Sequence, residues 1–168
     1  MIRCRTPWRR AALAVCSAFA LGILLNGCTV SPDADSGFER LDSTISGWRG
    51  VDSASVSGTF DGLPSSRSLS VDVTLEDASN VDLAEFVDRT LGAAWTFDVY
   101  EPSAVFVSLV DGAAPVPDGQ IPRVLDLTLE AASLNLTDVT IGKDFLSVSR
   151  DEMVEHYGSW PAAQVPVP

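Results

Sequence analysis

Two runs of strict alternation dominate the chain beyond its first thirty residues. Ala54, Val56 and Phe60 alternate with Ser53, Ser55, Ser57 and Thr59. After Asp61-Gly62-Leu63-Pro64-Ser65-Ser66, Leu69, Val71, Val73 and Leu75 alternate with Ser70, Asp72, Thr74 and Glu76. Two period-2 runs around a Gly/Pro/Ser turn predict a β-hairpin. One of its faces is apolar and the other wet, as in an antiparallel sheet packed on one side.

Helical spacing flanks the hairpin. Phe38, Leu41, Ile45 and Trp48 predict a short amphipathic helix that stops near Gly47 or Gly50. Leu83, Phe86, Val87, Leu91 and Ala94 form a second stripe, capped by Asp82 or Asn80, with Glu85 three residues after Asp82. Val105, Val107 and Leu109 alternate with Phe106 and Val110, which are also apolar, so this strand is expected at the centre of a sheet. Gly112–Pro122, with Pro115, Pro117 and Asp118-Gly119, reads as a loop. Leu125–Leu136 carries two signals: Leu125, Leu127 and Leu129 alternate like a strand, while Leu129-Glu130-Ala131-Ala132 favours a helix, the assignment we adopt. Phe145–Val148 reads as a strand. Ser149 with Glu152 makes a capping box for a last helix that stops before Gly158.

The expected fold is α+β: a mainly antiparallel sheet of about four strands with helices on one face. Trp48–Leu91, in which a helix leads into Gly50-Val51, a hairpin and another helix, resembles part of the ferredoxin-like units of heavy-metal-associated domains. That resemblance implies a ferredoxin-like sandwich. The Cys-x-x-Cys that binds metal in that family is missing, so no cofactor is implied.

The N-terminus adds an address. Arg3, Arg5, Arg9 and Arg10 precede the apolar stretch Ala11–Leu25, which is shorter than the ~20 residues that span a bilayer. A basic start, an apolar run and a small-residue cut site make a secretory signal. Leu25-Asn26-Gly27-Cys28 closes it and resembles the lipobox of bacterial lipoprotein precursors, Asn26 departing from the usual small or apolar residue. The resemblance implies cleavage between Gly27 and Cys28 and a lipid on the Cys28 thiol. The protein is then anchored on the extracytoplasmic face of the cell membrane. Arg9-Arg10 sits in flanks, Trp8 and Ala11-Ala12, that suit ordinary secretion better than twin-arginine export. The expected organisation is a signal over 1–27, a tether over 28–36, one domain over 37–160 and a disordered tail over 161–168.

Processing changes the charge. Cleavage removes four of the eleven basic residues and none of the 23 acidic ones, so the mature chain carries a net −16. Such a chain is a poor partner for nucleic acid and anionic headgroups, which leaves the lipid as its membrane contact; the acidity reads first as keeping an exposed domain in solution, with basic partners or divalent cations the electrostatically allowed company. Cys4 and Cys16 leave with the signal, so the mature domain has neither a disulfide nor a thiolate metal site.

Candidate chemistry is sparse. His156 is the sole histidine, in Glu155-His156-Tyr157-Gly158-Ser159-Trp160. Neighbours on a helix point in different directions, so Glu155 does not orient it. We expect His156 near a helix C-terminus, with Tyr157 and Trp160 lidding the core. None of Ser65, Ser66, Ser68, Ser133, Ser147 or Ser149 lies in a nucleophile elbow or has a lysine at Ser-x-x-Lys spacing. The acid pairs Asp77/Asp82 and Asp98/Glu101 read as solvated turns rather than a glycosidase pair. Asp111 and Asp118 border the proline-rich loop and are the candidate cation or small-ligand residues. Ser53, Ser55, Ser57, Thr59, Ser70 and Thr74 form a flat hydroxyl face that reads first as the solvent side of an antiparallel sheet, with a polymer or protein strand as the alternative occupant, and an exposed hairpin edge allows strand addition by a partner. The expectation is a non-enzymatic binding module with an envelope protein partner. The alternatives are a small-ligand or cation-binding lipoprotein and, behind it, a small hydrolase.

Overall fold

The computed structural model describes residues 32–60 and 66–163. The signal segment, Gly27, Cys28 and the hairpin turn over 61–65 lie outside the described residues. The elements are α1 (Pro32–Ser46), β1 (Val51–Phe60), β2 (Arg67–Leu75), α2 (Leu83–Trp95), β3 (Ala104–Asp111), α3 (Thr128–Ser133), β4 (Val139–Ile141), β5 (Leu146–Ser149) and α4 (Arg150–Tyr157). A short 3-10 turn, Ala78–Asn80, precedes α2.

The hairpin forms as its alternation requires. β1 and β2 pair antiparallel, with Ala54 opposite Val73, Val56 opposite Val71 and Ser55 opposite Asp72. Phe60, expected on the apolar face, instead ends the strand 46% exposed, with the Arg67 guanidinium 5.0 Å from its ring centre. α2 then carries the chain across, so β3 lies parallel to β2; a parallel neighbour needs such a crossover. β5 and β4 complete a five-stranded sheet in the order β1-β2-β3-β5-β4.

The fold is therefore α+β, with β3 central as expected. The sheet has five strands rather than about four, and the β2–β3 pair is parallel. Two strands, a crossover helix, a third strand and a final antiparallel ladder replace the paired βαβ units of a ferredoxin-like sandwich. α1 begins at Pro32, inside the stretch expected to be a tether. Residues 161–163 are not part of a loose tail: the Ala162 N–H donates to the Trp95 carbonyl at 3.1 Å.

The helix adopted for Leu125–Leu136 forms as α3, and of the strand reading there remains one backbone hydrogen bond at Leu125 beside an isolated bridge at Val124. The Leu125 N–H donates to the Leu109 carbonyl, and Val124 bridges Val110. The Asp126 carboxylate then accepts from Thr128 N and Oγ1 at 3.0 and 2.6 Å, and α3 starts there. At α2, Asp82 is the cap, accepting from the N–H groups of Ala84 and Glu85.

One face of the sheet holds the core. Leu69, Val71, Val73 and Leu75 of β2, Val105, Val107 and Leu109 of β3, and Leu146 and Val148 of β5 are all buried. They pack with Leu41 and Ile45 of α1, Phe86, Val87, Leu91 and Trp95 of α2, Ala131 of α3 and Met153 of α4. Where α1 crosses β1, Phe38 stacks on Phe97 with ring centres 5.2 Å apart, and Tyr100 meets Phe97 edge-on at 5.0 Å. Buried Tyr100 donates to the Ser68 carbonyl at 3.0 Å, and burial pushes its phenol up to about 12. Gly58 faces this cluster. A Cβ there would strike the Tyr100 hydroxyl and come within 2.7 Å of Phe38 Cζ. Gly58→Ala is expected to cost about 1–3 kcal/mol, read from urea unfolding.

Candidate functional site: the open face of the sheet

Among the described residues the four helices pack on the core face and none on the opposite one. Its residues alternate with the core positions: Ser55 and Ser57 from β1, Ser70, Asp72 and Thr74 from β2, and Phe106, Ser108 and Val110 from β3. A shallow groove of about 340 Å3 runs across β1, β2 and β3 here. Ser53, Ser55, Thr74 and Ser108 supply hydroxyls to its lining, Asp72 and Asp144 supply carboxylates, and Val110 and Val124 close an apolar end. Among the described residues no Arg or Lys lines it. The Ser108 hydroxyl donates to the Asp144 carbonyl at 2.8 Å and holds that loop against β3. Beyond it, Phe106 and Phe145 pack edge-to-face with ring centres 5.3 Å apart.

Hydroxyls donate and accept, two carboxylates favour a cation, and the floor is hydrogen-bonded strand. Serines 53 and 55 and Thr74 were visible in the sequence as a wet hairpin face. Ser108, Val124 and Asp144 were not, because distant segments bring them in and no local periodicity links them to the hairpin.

Most of the other candidates are engaged within the fold, and Asp118 is exposed. The partner of His156 is Asp88 on α2, not Glu155: Nε2 lies 3.5 Å from Asp88 Oδ1, and the same oxygen accepts from the Tyr157 hydroxyl at 2.8 Å. Burial, reinforced by the Asp88 bond, raises the Tyr157 phenol far above its ordinary value, so the tyrosine stays a donor. Trp160 Nε1 donates to the Phe97 carbonyl at 2.7 Å. These contacts clamp α4 and the following segment onto α2, as the lid reading expects.

Asp77 accepts from Ser79 N and Oγ and from Asn80 Nδ2, and those Ser79 bonds hold its carboxyl below the usual range. Asp98 pairs with Arg40 at 3.0 Å and Glu101 with Arg150 at 2.7 Å. Asp111 Oδ1 accepts from the N–H groups of Ala78 and Ala113, each at 3.1 Å, so it ties the β3 exit to the 3-10 turn. Asp118 is exposed on the loop. Among the described residues no three acid, histidine or cysteine side chains gather as a metal-binding group. No helix there is long and apolar enough to cross a membrane. Of the serines, Ser149 caps α4 through Glu152 N, Ser133 bonds the Glu130 carbonyl and Ser68 is buried; Ser65 lies outside the described residues. Comparisons with protein families, curated proteins and solved structures return no match to this chain.

Proposed function

We propose that this chain is a lipid-anchored binding module on the extracytoplasmic face of the cell membrane, held by Cys28 and presenting the open sheet face to another envelope component. The observation that carries the reading is the asymmetry of the sheet. Its inner face is closed by four helices, while its outer face is a grooved, hydroxyl-lined surface with two carboxylates. Asp82 and Ser149 serve as helix caps, Tyr157 and Asp88 as a clamp, and Asp98 and Glu101 as partners of Arg40 and Arg150. Mature net charge selects a basic partner over nucleic acid.

Two measurements in cells test this together. Cys28→Ser is expected to move the protein from the membrane fraction to the soluble fraction. A photoactivated cross-linking residue at Ser55 on the open face is expected to give one discrete protein adduct, and the same residue at Glu85 on α2 none. Membrane retention without Cys28 would remove the anchor. Equal adducts from both positions, or none from Ser55, would remove the binding face.

A further inference from the structure

The groove reaches the rim of the sheet, and that rim is β1. β1 is ten residues long and closes one end of the strand order, whereas β4 at the other end has three. Edges of soluble sheets are ordinarily guarded by lysine, proline, bulges or shortness, because their open N–H and C=O groups template another strand. The irregularity in β1 lies between Val51 and Ser53, beside its one charged residue, Asp52. From Ser53 to Phe60 there is no charge and no proline. Among the described residues this stretch has β2 as its sole strand neighbour.

The side chains next to the edge add chemistry. Ser53, Ser55 and Ser57 are small and exposed. Asp72 sits one strand further in, between Ser55 on β1 and Ser108 on β3 in the sheet register. Among the described residues it belongs to no ion pair. A strand added beside β1 would lie about 4.8 Å from it and two spacings from β2. The four-carbon stem of a lysine, or an arginine, covers that distance only across a residue as small as serine.

Resting on the binding-module reading, we infer that β1 docks an extended basic segment of a partner protein. The segment adds as a sixth strand through main-chain hydrogen bonds and lays a lysine or arginine across Ser55 to the Asp72 carboxylate. Main-chain pairing gives the affinity of such additions, and side chains on alternate positions give the selectivity. Charge separates this occupant from a second copy of the chain, since two chains with 23 acidic against 11 basic residues, net −12 each, repel.

The test uses the full chain in detergent micelles and three synthetic octapeptides: alternating Thr and Lys, alternating Thr and Glu, and the Thr/Lys peptide with alternate backbone nitrogens methylated. Amide shifts and hydrogen exchange of β1 are the readouts. The Thr/Lys peptide is expected to bind and to slow exchange along Ser53–Phe60, and the other two are expected to fail. Asp72→Asn should weaken binding about fivefold. Ser55→Lys, which places a cation beside Asp72 and guards the edge, should abolish it without moving Tm. No binding of the Thr/Lys peptide, equal binding of its methylated form, or indifference to Asp72→Asn would overturn strand addition. If the Ser55 cross-link in cells survives that result, the binding-module reading stands alone; if both fail, both fall.

Discussion

Val73→Asp is expected to abolish folding or to cost more than about 4 kcal/mol, while Asp72→Ala next to it changes stability by less than about 0.5 kcal/mol. The two residues are adjacent and point to opposite faces. Val73 is 2% exposed, opposite Ala54 on β1 and Leu109 on β3, with Val71 and Leu75 on its own strand. A carboxylate there has apolar side chains on every side and no cation within the core cluster. Ionised, it is a buried unpaired charge; protonated, it is an unpaired hydroxyl and carbonyl with a lost packing volume. Asp72 is exposed between two serines, so its loss disturbs no packing. Urea midpoints of the two variants measure the difference. Equal effects would place the β1–β2 register one residue off, since a single slip exchanges the two faces.

The contrast between these neighbours also shows why the hairpin was legible. Where one face is buried and the other wet, the side-chain period is written into the residue types, and β2 follows it from Leu69 to Leu75. α2 was legible for the same reason, its stripe and its Asp82 cap agreeing. β4 was not, because three residues, Val139–Ile141, are too few to show a period. The parallel β2–β3 pairing was hidden because alternation reports which face is buried and not which strand lies alongside. The helix-or-strand conflict at Leu125–Leu136 resolves to the helix, α3, which begins where the Asp126 carboxylate bonds Thr128; before it only an isolated bridge at Val124 is extended pairing. In the open face, the hydroxyls were legible and the groove was not. Its depth depends on Ser108 holding the Asp144 loop and on Val124 bridging β3, both contacts between segments far apart in sequence.

Glu152 departs most from its sequence reading, and its removal should rank beside Val73→Asp in effect. The Ser149–Glu152 spacing predicts a capping box in which the glutamate reaches back to the Ser149 N–H. Half of it forms: the Ser149 hydroxyl accepts from Glu152 N at 3.2 Å. The carboxylate turns instead to the segment before β4. Oε1 accepts from Thr137 N at 3.0 Å, and Oε2 accepts from Asp138 N at 2.8 Å and from Thr137 Oγ1 at 3.0 Å. The Ser149 N–H donates to the Asp138 carbonyl. Glu152 is 5% exposed and pins the start of the β4 segment to α4. Glu152→Ala leaves two backbone donors and a hydroxyl without their acceptor, at an expected cost of about 3–5 kcal/mol. Glu152→Gln keeps one oxygen and sets an amide NH2 against the remaining donors, so it is expected to cost about 2 kcal/mol.

The pH dependence separates charge from shape. Burial acts to raise the Glu152 pKa, but the hydrogen bonds from Asp138 and Thr137, with His156 nearby, outweigh it and hold the carboxyl below its ordinary 4.5. A carboxyl whose folded-state pKa is depressed contributes stability above the unfolded value and loses it as pH falls through the folded one. The stability gap between the native chain and Glu152→Gln should therefore be constant near neutral pH and shrink progressively below pH 4.5. Urea midpoints across that range measure it. A gap that stays constant into acid would mean that folding leaves the Glu152 carboxyl unshifted, and a gap that widens below pH 4.5 would mean that the fold favours its protonated form.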